Sequence, residues 1–81
     1  MERFNFIVAR ALLGKNVNLH LKDGSVIVNV RLLEFLKDKF GRKAFIRCVP
    51  YGKRDAFKVS LRNIAWAEQL NLDFILPEEE N

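Results

Sequence analysis

From residue 17 to 22 the chain alternates: Val17, Leu19 and Leu21 are apolar, and the intervening Asn18, His20 and Lys22 are polar. A period of two puts these sets on opposite faces of a β-strand. Asp23-Gly24 follows, a pair suited to a tight hairpin because glycine accepts positive φ. In the next strand Val26, Val28, Val30 and Leu32 take one face and Ile27, Asn29, Arg31 and Leu33 the other. Near Leu32-Leu33, before Phe35, the apolar pattern changes phase. Such a change in a long strand marks a bulge or strong bend, as where a sheet curls into a barrel.

Upstream, Phe4, Ile7, Val8, Ala11 and Leu12 recur at spacings of three and four, which predicts an amphipathic helix over 2–13. Gly14 sits where a helix stop is expected. Phe4, Phe6 and Val8 also alternate, so a strand competes; the helix is preferred. Downstream, 36–43 forms a loop and 44–51 a third strand, with Ala44, Ile46 and Cys48 on one face. Pro50 ends that strand or lies on an edge, because it cannot donate to a ladder. A polar turn at 52–55 leads to a fourth strand over 56–61, with Phe57, Val59 and Leu61 inward. Ile64–Gln69 is a fifth strand, with Ile64 and Trp66 on one face. A helix capped by Ser60 is the alternative for 61–70; the strand is preferred because the fourth strand needs a close partner. The expected architecture is mainly β: a helix, then a five-stranded, strongly bent antiparallel sheet over about 16–70, and an acidic tail over 71–81. That is a small barrel of SH3-like or oligonucleotide-binding type.

Composition narrows the function. Eighty-one residues fit one domain, whose own core is marginal because so short a chain buries only about 60% of its unfolded surface. Good packing or self-association must compensate. The net charge of +4 is unevenly placed: residues 1–36 carry +2, residues 37–62 carry +7 and residues 63–81 carry −5. A basic segment of this kind suits a polyanion, since clustered cations release counterions on meeting phosphate. It also suits a solvated surface. The acidic end is a solubilising tail, or a segment that folds back on the cations.

Catalysis and metal binding find little support. His20, the one histidine, lies on the polar side of the first strand, with no second histidine or nearby cysteine to share a metal. Cys48 alternates with Ala44 and Ile46 and is expected to be buried. Glu34, Asp38 and Asp55 are scattered among cations, which suits ion pairing better than paired acid–base work. No enzyme, cofactor or metal is expected. No targeting signal or membrane span is apparent, and a lone thiol fits a reducing compartment, so a cytoplasmic protein is expected.

The binding chemistry gathers in two loops, Lys37-Asp38-Lys39-Phe40-Gly41-Arg42-Lys43 and Leu61-Arg62-Asn63. In a barrel with this strand order, both loops lie at one end. Phe40 beside cations can stack on an unpaired base, or fold inward as a core anchor. Arg62 can stack on a base or bind phosphate, or be a plain turn cation.

This order of elements resembles the Sm-like family, which includes the bacterial Hfq proteins. The stretch 17–26 is similar to the first half of the family's first motif, and Val59-Ser60-Leu61-Arg62-Asn63-Ile64 to its second, over roughly residues 3–70. The family usually has a glycine where Asn29 or Val30 stands, an Asp where Leu36 stands, a Met-Asn pair near Lys39-Phe40 and a glycine at Asn63. Arg62 carries over directly. The resemblance implies an Sm-like barrel. It further implies a homo-oligomeric ring, closed by pairing the fourth strand of one subunit with the fifth of the next, that holds single-stranded RNA. Lys37, Lys39, Phe40, Arg42, Arg62 and Asn63 are the expected RNA-binding residues. Two alternatives stand beside it: an SH3-like barrel on duplex DNA, using Arg47, Lys53, Arg54 and Lys58, and an adaptor that contacts protein through Phe40, Phe45 and Tyr51.

Overall fold

The first strand, β1 (Asn16–Leu21), forms where the alternation predicts it, and the Asp23-Gly24 turn joins it to β2 (Val26–Lys37). Gly24 takes φ +95°, and the Asp23 carboxylate accepts from the N–H and hydroxyl of Ser25 at 2.9 and 2.6 Å. The computed structural model describes residues 4–70. The expected acidic tail, and residues 2–3 of the expected helix, lie outside the described residues. Helix α1 (Phe6–Ala11) precedes β1. After β2 come β3 (Ala44–Pro50), β4 (Phe57–Ser60), a 3₁₀ turn (Leu61–Asn63) and β5 (Ile64–Gln69). Residues 64–69 are thus a strand, not a helix.

The strands form one antiparallel sheet in the order β4-β3-β2-β1-β5. The sheet is open: β4 and β5 are its two edges and do not pair with each other. No helix among the described residues is long and apolar enough to cross a membrane.

Two bulges shape β2. The second lies between Leu32, which pairs with Cys48, and Glu34, which pairs with Arg47, where the apolar pattern changes phase. The first was not expected. Val17 pairs with Val30 but Leu19 pairs with Ile27, so β2 carries one extra residue there. Asn29 takes it up at φ +51°, the one positive φ of a non-glycine among the described residues. Asparagine tolerates this region because its short side chain bonds locally. Asn29 donates its N–H to Asn18 Oδ1 at 2.8 Å and accepts the Tyr51 N–H at 2.9 Å, while its Oδ1 accepts from Asn16 Nδ2 at 3.3 Å. The extra residue reverses the alternation upstream. Ile27, not Val28, packs with Val30 and Leu32, and Val28 is 66% exposed. The expected face of Val26, Val28, Val30 and Leu32 is corrected accordingly.

The helix is shorter than the predicted 2–13 and differs in phase. Asn5 caps it, its side chain accepting the Val8 N–H at 2.9 Å. Phe4 therefore precedes the helix, and its N–H donates to the Ala65 carbonyl of β5. Counting helical spacing from Phe4 misplaces the buried face. Ala9, Val8 and Leu12 face the core, whereas Ala11 is exposed and Ile7 is 78% exposed. Gly14, at φ +83°, turns the chain into β1, and its N–H donates to the Leu32 carbonyl at 2.7 Å.

The core gathers Val17, Leu19, Val30, Leu32, Ile46 and Ile64 with Cys48. Phe57 takes the expected face, opposite Cys48, but it begins edge strand β4, where no strand flanks its other side, and stays 36% exposed. The shared face expected for Ile64 and Trp66 is corrected. Trp66 follows a register shift in β5 between Ile64 and itself, so it leaves the face of Ile64 and stacks on His20, with ring centroids 3.9 Å apart. Cys48 is fully buried as expected, and burial pushes its thiol up to about 11. Reaction with a maleimide near pH 8 is expected to be very slow in the native protein and complete in denaturant, because the thiolate is the nucleophile. Fast native labelling, followed by mass spectrometry, would contradict the buried position.

Candidate nucleic-acid interface

Cross-strand register decides which loops meet. Leu36 pairs with Phe45, and Phe45 with Ser60. Loop 38–43 and the 3₁₀ turn therefore leave the sheet at the same end, as the strand order predicts. Lys37 closes β2 there, opposite Ala44.

Loop 38–43 is internally bonded. Asp38 donates its N–H to the Lys43 carbonyl at 2.9 Å, its carboxylate accepts the Arg42 N–H at 2.8 Å, and its carbonyl accepts the Gly41 N–H at 3.0 Å. Gly41 makes this possible at φ +72°. Burial raises the Asp38 carboxyl, but the N–H groups of Arg42, Lys43, Phe40 and Gly41 outweigh it, so it titrates below its ordinary value. The carboxylate thus serves the loop's own backbone. Phe40 stands at the tip, 70% exposed, which excludes the core-anchor alternative. The Arg42 guanidinium carbon lies 5.1 Å from its ring centre, a cation–π distance. Lys39, Arg42 and Lys43 are exposed beside it.

Arg62 and Asn63 are both exposed on the 3₁₀ turn. The turn spans from the loop end, at Ser60, to the β1–β2 hairpin, where the Asn63 carbonyl accepts the Lys22 N–H at 2.9 Å. Asn63 is thus tied to the hairpin and does not adopt positive φ. The structure brings together Lys37, Lys39, Phe40 and Arg42, with Arg62 on the adjoining turn.

Two residues that sequence reasoning missed join this end. Phe6 of α1 packs edge-on against Phe35, with centroids 4.9 Å apart. Lys37 Nζ sits 4.6 Å from the Phe6 ring centre, and the Arg10 guanidinium carbon lies 5.9 Å from it. The four-residue spacing of Phe6 and Arg10 on a helix was the available signal. Of the residues of the adaptor alternative, Phe40 and Tyr51 are both exposed and flank β3 at its two ends.

The His20 side of the sheet is a separate polar cluster. Glu68 accepts from Asn18 at 3.2 Å and faces His20 Nε2 at 3.3 Å, and these two contacts lower its carboxyl pKa. Among the described residues no group of three or more His, Cys, Asp or Glu is placed to hold a metal. No protein-family model matches the chain, and no curated protein or solved structure matches it.

Proposed function

We propose that the chain is an RNA-binding protein of Sm-like type, which assembles into a homo-oligomeric ring and holds single-stranded RNA at the end formed by loop 38–43 and the 3₁₀ turn. The observation that carries the reading is the open sheet, with β4 and β5 as unpaired edges and a basic, aromatic-tipped loop at one end. An unpaired edge is a template for another chain, and pairing β4 of one subunit with β5 of the next removes both edges at once. It also enlarges a marginal core. The open sheet, bulged twice in β2, corresponds in this proposal to an incompletely closed small barrel. Asn29, at φ +51°, supports this by meeting, where the resemblance puts a glycine, the backbone demand a glycine would meet. The 3₁₀ turn stands where the resemblance puts the Arg-Gly turn. The chain is read as a binding protein, not an enzyme, and its lone buried thiol supports a cytoplasmic setting.

At the site, Phe40 offers a flat face to an unpaired base, and Lys37, Lys39, Arg42 and Arg62 meet the phosphates. Light scattering is expected to give a mass several times that of one chain; a monomer at all salt concentrations overturns the ring. Phe40→Ala is expected to weaken binding of a labelled single-stranded RNA by about 1–3 kcal/mol, the usual worth of one stacked base. Replacing Lys39, Arg42 and Arg62 together with alanine is expected to flatten the slope of log K against log salt by about 2, at about 0.7 per phosphate contact. Unchanged affinity in both variants removes the loop from the site.

A further inference from the structure

A second concentration of positive charge lies on the outer face of β2 and β3, beside the 52–55 turn. Arg31 of β2, Arg47 of β3 and Lys53 and Arg54 of the turn line one open cleft of about 670 Å³. These residues come from three separate places in the sequence. Arg31 pairs with Val49, and Val49 is two residues from Arg47, so both arginines project from the same outer face. Leu33, Val49 and Ala56 supply an apolar floor between the cations. The cleft continues past Arg31 and Lys53 towards Tyr51, at the end of β3.

Carboxylates do not balance this charge. Asp55 is the one acidic residue in the lining, against four cations. Glu34 faces Arg47 from the neighbouring strand, with Nε and Oε2 3.0 Å apart. That contact is a half-exposed ion pair and not an aligned hydrogen bond, since Arg47 Nε has no hydrogen-bond partner. Arg31, Lys53 and Arg54 are all exposed. Lys58, the remaining strand cation of the DNA-binding alternative, stands opposite Arg47 on the same outer face, at the margin of the cleft and outside its lining, with its ammonium 5.3 Å from the Phe45 ring centre.

We infer that this cleft is a second nucleic-acid site, which grips the phosphate backbone of a single strand without regard to sequence. A charged groove with an apolar floor suits a single strand, because cations track the phosphates while sugars and bases rest on the floor. The site is distinct from the proposed RNA end, since the 52–55 turn and loop 38–43 leave β3 at opposite ends. A strand held at both places would run across the outer face of β3.

The test uses fluorescence anisotropy with labelled RNA and DNA single strands of the same sequence, about 12 nucleotides long. The full chain is compared with Lys53→Ala/Arg54→Ala and with Lys39→Ala/Arg42→Ala, between about 50 and 200 mM salt. The first variant is expected to flatten the log–log salt slope by about 1.4, equally for RNA and DNA, because two phosphate contacts are lost and no sugar hydroxyl is read. Arg31→Gln, at an exposed strand position, is expected to flatten it by about 0.7. Slopes unchanged by both cleft variants overturn the cleft, and so does a loss confined to RNA. If only the cleft variants weaken binding, the cleft stands and the loop proposal falls; if only the loop variant does, the reverse holds. A parent chain that binds neither strand overturns both. Circular dichroism confirms that the turn variants remain folded.

Discussion

Replacing Leu32 by alanine is expected to cost about 2–5 kcal/mol and to shift the urea midpoint sharply downward. The side chain is fully buried on the central strand, between the two bulges of β2. Its neighbours come from several elements, so no single one can collapse into the space. Its backbone is also committed: the Leu32 carbonyl accepts the Gly14 N–H, and its N–H donates to the Lys15 carbonyl at 3.1 Å. These bonds fix where the core side chain points. At about 0.05–0.15 kcal/mol per residue, a domain of 81 residues holds only about 4–12 kcal/mol in total. A loss of this size removes a large share of that. Leu33→Ala is the internal comparison, because Leu33 lies in the second bulge and is only half-buried. Both variants are measured at one protein concentration, since association adds to apparent stability. A Leu32 variant no less stable than the Leu33 variant would place the core elsewhere.

Asn29→Val is expected to cost about 2–3 kcal/mol. The left-handed backbone penalises a residue with Cβ by about 1–2 kcal/mol, and branching at Cβ adds to it. Loss of the bond from Asn16 removes about 0.5–1.5 kcal/mol more. For a domain of this size the melting temperature should fall by more than about 8 °C. Asn29→Gly separates the two causes: it loses the same side-chain bond but accepts φ +51° freely, so it should stay within about 1 kcal/mol of the parent. Equal losses for valine and glycine would make the side-chain bond, not the backbone, the important feature.

Asn29 also shows why part of the fold escapes the sequence. β1 is legible because its alternation is strict and Asp23-Gly24 marks its end; β5 is a strand as expected, but for another reason than expected, since it pairs with β1 and not with the fourth strand. The second bulge is visible as two adjacent leucines. The first is not, because one asparagine in an alternating run looks like any outward polar position. The register shift before Trp66 has the same character, since Ala65 gives no sign of being the extra residue. The helix phase fails for a different reason: Phe4 is buried by the sheet edge, not by helical packing. At the candidate site, the shared end of the two loops follows from strand order alone. Phe6 beneath Lys37, and Arg31 beside the 52–55 turn, depend on tertiary placement between distant segments, which local spacing does not encode.

The pairing of β1 with β5 also sets the order in which the molecule can be made. β2, β3 and β4 each find a partner in the strand just before them, but the outer flank of β1 waits for β5, about 50 residues later. At about 5–20 residues per second on the ribosome, that wait lasts about 2–10 s. During it Val17, Leu19 and Leu21 border a ladder with no occupant, while hairpins form in microseconds. The nascent chain is therefore most open to mispairing with a neighbouring nascent copy before Gln69 has emerged.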